Sequence, residues 1–165
     1  MTYRIMEAQA GWQPIADTST TQRHPLGTIV RAQSDTYGVA EFIYLLGVAS
    51  TAVGSLVTYN TSGYATALAA VGANKPQPIA VAMSANVASQ YGWYQISGIA
   101  VMKKTCTVSL AANAAIGVLT TGLVAATGSG KEIRGALVAA VASATAGRTT
   151  VQVVIQRPHM QGRVT

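Results

Sequence analysis

The chain has 165 residues, half of them apolar and only a tenth charged, which suits one domain with a sizeable core and a subunit that covers its surface with copies of itself or a partner. Its formal charge is +6, from eleven Lys and Arg against five Asp and Glu. Arg31, Lys75, Lys103, Lys104, Lys131, Arg134, Arg148 and Arg157 are scattered and not interleaved with aromatics, a pattern of solvated charge that argues against nucleic-acid binding and leaves an acidic docking surface as the second reading.

The single cysteine, Cys106, excludes an intrachain disulfide. No uncharged apolar run reaches the ~18–20 residues that a membrane helix needs; residues 38–57 come closest and are broken by Glu41, Gly47 and Gly54. The opening residues lack the basic-then-apolar layout of a signal peptide, so neither secretion nor a membrane partner is expected.

In chain order, residues 1–27 are polar and irregular, with Pro14 and Pro25 opposing regular structure. A frayed terminus is one reading. The preferred one is an extended arm that orders on a neighbour, with Trp12 as anchor and Pro14, Arg23, His24 and Pro25 as further partner-binding candidates.

Residues 27–33 alternate like a half-buried strand, 35–38 read as a turn, and 39–46 are apolar on both faces like a central strand. A short strand over 54–60 and turn chemistry from Asn60 to Gly63 predict a hairpin with 64–71.

Residues 78–98 read as a small-residue strand, a polar turn and an aromatic strand, and are expected to centre the core. Tyr91, Trp93 and Tyr94 supply three of the chain's ten aromatics, which are two Trp, seven Tyr and one Phe. With Phe42 and Tyr44 they are the core or oligomer candidates. Short strands then follow over 99–103, 106–110, 116–120, 122–124 and 133–141.

The clearest strand is 149–156, where Val151, Val153 and Ile155 face one way and Gln152 and Gln156 the other. Arg157 and Pro158 are expected to end it, leaving a polar tail. The organisation predicted is an arm over 1–27, a β-rich core over 28–158 and a tail over 159–165. The fold class is all-β, a sandwich or barrel, with the Ala-rich 136–144 open to a helix. A faint repeat relates the strands near 56, 79 and 91 to those near 118, 133 and 146, suggesting two related β units.

Gly128-Ser129-Gly130-Lys131-Glu132 departs from a phosphate-binding loop, with Glu132 where Ser or Thr is needed and Ala125 at the first Gly position. Cys106 sits in a predicted strand as a small apolar residue. The acids Glu7, Asp17, Asp35, Glu41 and Glu132 are isolated in sequence, so no catalytic residue, metal or cofactor is expected.

The run Ala40-Glu41-Phe42-Ile43-Tyr44-Leu45-Leu46-Gly47-Val48, then Gly54-Ser55-Leu56-Val57-Thr58-Tyr59, and later Tyr91-Gly92-Trp93-Tyr94-Gln95-Ile96-Ser97-Gly98, resembles the decoration or cement proteins of tailed-phage heads. The likeness extends over residues 26–158 and rests on Gly-bounded Ala/Val strands and an aromatic strand ending in Gly. It implies a virion protein made in the host cytoplasm and placed on the capsid exterior. Its partners would be the major capsid protein, whose neighbouring subunits it bridges, and copies of itself, as a trimer. Weak contacts would be multiplied over a lattice. The rival expectation is a receptor- or glycan-binding head or tail-fibre module that exposes Tyr91, Trp93 and Tyr94 as a stacking platform.

Overall fold

In the computed structural model, residues 2–7, 11–70, 76–105, 107–145, 147 and 149–162 are described. Their alternating and β-branched segments form β1 (Arg4–Ile5), β2 (Thr18–Ser19), β3 (Ile29–Ser34), β4 (Gly38–Leu46), β5 (Leu56–Tyr59), β6 (Thr66–Leu68), β7 (Ile79–Ala82), β8 (Tyr91–Lys103), β9 (Ala115–Thr120), β10 (Leu123–Ala126), β11 (Glu132–Val138) and β12 (Thr150–Met160). The fold is all-β. The strands pair antiparallel in one branched sheet that does not close into a barrel, ordered β1-β3-β4-β8-β12-β11-β9-β10 with β2, β5, β6 and β7 off that path.

β8 organises the sheet. Its first half pairs with β4, from Leu46↔Tyr91 to Glu41↔Ser97, and its second half pairs with β12, from Gln156↔Ser97 to Thr150↔Lys103. Residues 99–103 are therefore the continuation of the aromatic strand rather than a separate one. Gly98 permits this changeover: its φ is +95°, and a Cβ there would meet the Ala40 Cβ at 2.9 Å and the Val39 carbonyl at 3.0 Å.

The internal repeat is visible in the pairing. β5 and β6 form a hairpin, β7 pairs with β5, and β8 pairs with β7. In the same order β9 and β10 form a hairpin, β11 pairs with β9, and β12 pairs with β11. The last strands of the two units then pair with each other.

Among the described residues, three apolar clusters hold the fold. The largest joins Leu56, Ile79 and Val81 to Met102, Ile116, Val118, Ile133, Val153, Ile155 and Met160. A second sits between β4 and β8 on one side and β5 and β7 on the other, with Leu45, Val57, Tyr94 and Ile96. The third covers the opposite face of β3, β4 and β8 and contains Phe42, Tyr44 and Trp93 with Tyr3 and Ile15 of the N-terminal segment.

Several expectations need correction. β12 does not stop at Arg157 and Pro158 but runs to Met160. Arg134 pairs with His159 and Ala136 with Ile155, so Gly135 alone faces Gln156, Arg157 and Pro158. This bulge is where a proline without an N–H is tolerated, and Arg157 takes a φ of 44° within it. Beyond Pro158, Met160 is fully buried and its N–H donates to the Gln77 carbonyl.

The strand expected over 106–110 is absent from its described residues, 107–110, apart from a bridge between Leu110 and Ala142; Cys106 lies outside the described residues. Lys104, grouped above with solvated charges, is 2% exposed. Its Nζ donates to the carbonyls of Val108 at 2.9 Å and of Thr105 and Ser143 at 3.2 Å, which curls the chain away from a strand. Of the Ala-rich stretches, 136–138 belong to β11 and 66–68 to β6, and the described part of 136–144 contains no helix.

Candidate functional site

Pairing of β4 with β8 sets Tyr44 opposite Trp93, with ring centroids 5.0 Å apart and edge-to-face. Alternation places Phe42 beside them on the same face, where its ring meets that of Tyr3 at 4.8 Å, and Tyr91 stacks on Tyr44 at 6.4 Å. Tyr94, one residue on from Trp93, points to the other face, where its hydroxyl accepts from Asn86 Nδ2 at 2.9 Å.

The N-terminal segment is extended and lies on the chain's own sheet, with β1 against β3 and β2 against β8. It brings Trp12 and His24 to the aromatic pair. His24 lies 4.9 Å from Trp12, 5.1 Å from Tyr44 and 5.5 Å from Trp93, and Trp12 lies 6.0 Å from Trp93. Candidates from the N-terminal segment and from β4 and β8 thus meet in one socket.

Gln13, which carried no signal in the sequence, is the hub of this socket at 2% exposed. Its backbone N–H donates to His24 Nε2 at 3.1 Å and its carbonyl accepts from the Trp93 indole N–H at 2.9 Å. Its side-chain Nε2 donates to the Asp17 carbonyl at 2.8 Å and the Tyr91 carbonyl at 3.3 Å, while Oε1 accepts from the Tyr44 hydroxyl at 3.0 Å. A buried amide is tolerated because its groups are all met.

Pro14, Arg23 and Pro25 are exposed and form the rim. The Pro14 carbonyl closes a turn by accepting from the Asp17 N–H, and the Pro25 carbonyl accepts from the Thr28 N–H. The backbone N–H of Arg23 donates to the Tyr44 hydroxyl at 3.4 Å. Burial, and then the Arg23 charge, push His24 below the ordinary histidine value. Burial raises the Tyr44 phenol, partly opposed by Arg23.

A second feature lies on the outer face of β8, β12 and β11. Leu137 pairs with Val154 and Val154 with Ile99, making a cross-strand apolar row in which Leu137 and Val154 are each 40% exposed. Val101 and Gln152 form the next pair, and Gln152 Nε2 donates to the Tyr37 hydroxyl at 3.2 Å. Lys103 stands at one end of β8 and an ion pair between Arg157 and Glu41, 3.2 Å apart, marks the border beyond Ser97 and Gln156. Val141, 68% exposed, extends the apolar surface past β11.

The aromatic socket is closed, its rings and the Gln13 amide taken up by internal contacts, whereas the outer row leaves aliphatic surface exposed. Among the described residues no group of three or more His, Cys, Asp or Glu could hold a metal ion, and no helix is long and apolar enough to cross a membrane. In comparisons with known proteins, the chain matches no family model and no curated protein.

Proposed function

We propose that this chain is a structural virion protein that binds the outer surface of a tailed-phage head and stabilises it by bridging neighbouring major capsid subunits, as a trimer. The observation that carries the proposal is the uncharged outer row of Leu137, Val154 and Ile99, a partly exposed apolar sheet surface suited to burial against another subunit. The sequence resemblance of residues 26–158 supplies the identity of that subunit. The net charge of +6 favours an acidic capsid exterior, and the lattice multiplies a modest contact.

The glycan-binding alternative draws less support, because the rings of Trp93 and Tyr94 are fully buried and offer no face for a sugar to stack on. Sedimentation of the purified chain with and without empty expanded heads tests the proposal. A trimer that pellets with heads in a saturable ratio supports it; a monomer that stays in the supernatant overturns it.

A further inference from the structure

The bond between Gln13 and His24 fixes the protonation of the ring. Nε2 accepts the Gln13 backbone N–H at 3.1 Å, so the imidazole must be neutral there, with its proton on Nδ1. We propose that His24 is an acid-sensitive latch: neutral, it holds residues 11–24 over the Tyr44–Trp93 pair, and protonated, it sets an N–H against the Gln13 N–H and releases the segment.

The surroundings give this switch its direction. From its own segment His24 faces the Arg23 charge, and from β4 it faces the Tyr44 phenol at 5.1 Å between rings. From β8 come the uncharged Trp93 ring and, behind Tyr44, the Tyr91 phenol. Asp17 reaches the socket through its backbone carbonyl, to the Gln13 side chain. The ion pairs among the described residues are Arg4 with Asp35 and Arg157 with Glu41, so neither engages His24. An imidazolium would gain cation–π attraction to Trp12 and Trp93, yet the buried Gln13 N–H would still lack an acceptor.

The sign follows from linkage. Burial and Arg23 hold His24 in the closed form below its ordinary value. The closed form is therefore fully favoured above the ordinary histidine pKa of about 6.5 and loses that advantage as pH falls through the lowered value. The bonds from Trp93 and Tyr44 converge on the same residue, Gln13, so strain at its amide reaches the whole contact. Release exposes apolar ring surface that the segment covers at neutral pH.

The chain carries its own probe, since its two tryptophans, Trp12 and Trp93, both lie in the socket. Tryptophan emission of the intact protein is followed from about pH 8 to about pH 4.5, a range that spans histidine titration, for the wild type, His24→Gln, His159→Gln and Arg23→Gln. The wild type and His159→Gln are expected to red-shift together, with a midpoint below the ordinary histidine value, while His24→Gln stays unchanged. Emission of the wild type that does not respond to pH, or the same transition in His24→Gln, overturns the latch. If His24→Gln is open at every pH, Arg23→Gln decides: removing that charge must raise the midpoint, and an unmoved midpoint overturns the proposal.

Discussion

The indole N–H of Trp93 donates to the backbone carbonyl of Gln13 at 2.9 Å, across eighty residues of chain. Through this bond the N-terminal segment becomes part of the wall that closes the face formed by β3, β4 and β8. Ile15 and Tyr3 complete that wall as buried members of the same apolar cluster.

Trp93→Ala should destabilise the protein by about 3–5 kcal/mol, the range for removing a fully buried large aromatic. Trp93→Phe keeps much of the packing but leaves the Gln13 carbonyl unmatched, at about 1–3 kcal/mol. Chemical denaturation of the two variants, read as midpoint at constant slope, checks both the size and the order.

Gln13→Glu replaces a donor that serves the Asp17 and Tyr91 carbonyls with a carboxylate facing them. The variant should be less stable than Gln13→Ala at neutral pH, and the gap should narrow as pH falls and the carboxyl protonates. Thermal melts of both variants at several pH values decide this; a gap that does not change with pH would count against the assigned contacts.

Lys104→Met keeps the aliphatic stem and removes the ammonium that binds the carbonyls of Thr105, Val108 and Ser143. Hydrogen bonds to a charged group are worth about 1.5–3 kcal/mol each in the mean, so a loss of several kcal/mol and faster amide exchange of Val108 and Leu110 are expected. Exchange confined to other regions would refute the role given to Lys104.

Gly98→Ala places a Cβ within 2.9 Å of the Ala40 Cβ on a backbone with φ of +95°. Both effects oppose the substitution, and a loss of at least about 1–3 kcal/mol is expected from the backbone alone. An unaltered melting temperature would contradict the account of how β8 passes from β4 to β12.

Much of the sheet was legible in sequence because alternation is a local signal. Ile29 to Ser34 and Val151 to Ile155 show it directly, and Phe42 and Tyr44 stand out by volume. The failures have physical causes. Gly98 reads as a strand end, yet it is the residue that lets one strand serve two partners. Arg157 and Pro158 read as a stop because the residue that faces their bulge, Gly135, lies on another strand.

Gln13 and Lys104 escaped notice for the same reason. A polar residue looks solvated until the groups that satisfy it are assembled, and for Gln13 these come from positions 17, 24, 44, 91 and 93. The aromatic candidates were named individually, but their convergence with Trp12 and His24 depended on where the N-terminal segment lies.

The most direct test of the capsid-binding proposal is a charge placed in the outer row. Val154→Lys puts an ammonium beside Leu137 and Ile99 on a face already 40% exposed at that residue, so the fold should survive. Sedimentation with empty expanded phage heads should show the wild type pelleting and Val154→Lys left in the supernatant with an unchanged melting curve. A variant that pellets as well as the wild type would contradict docking through this face.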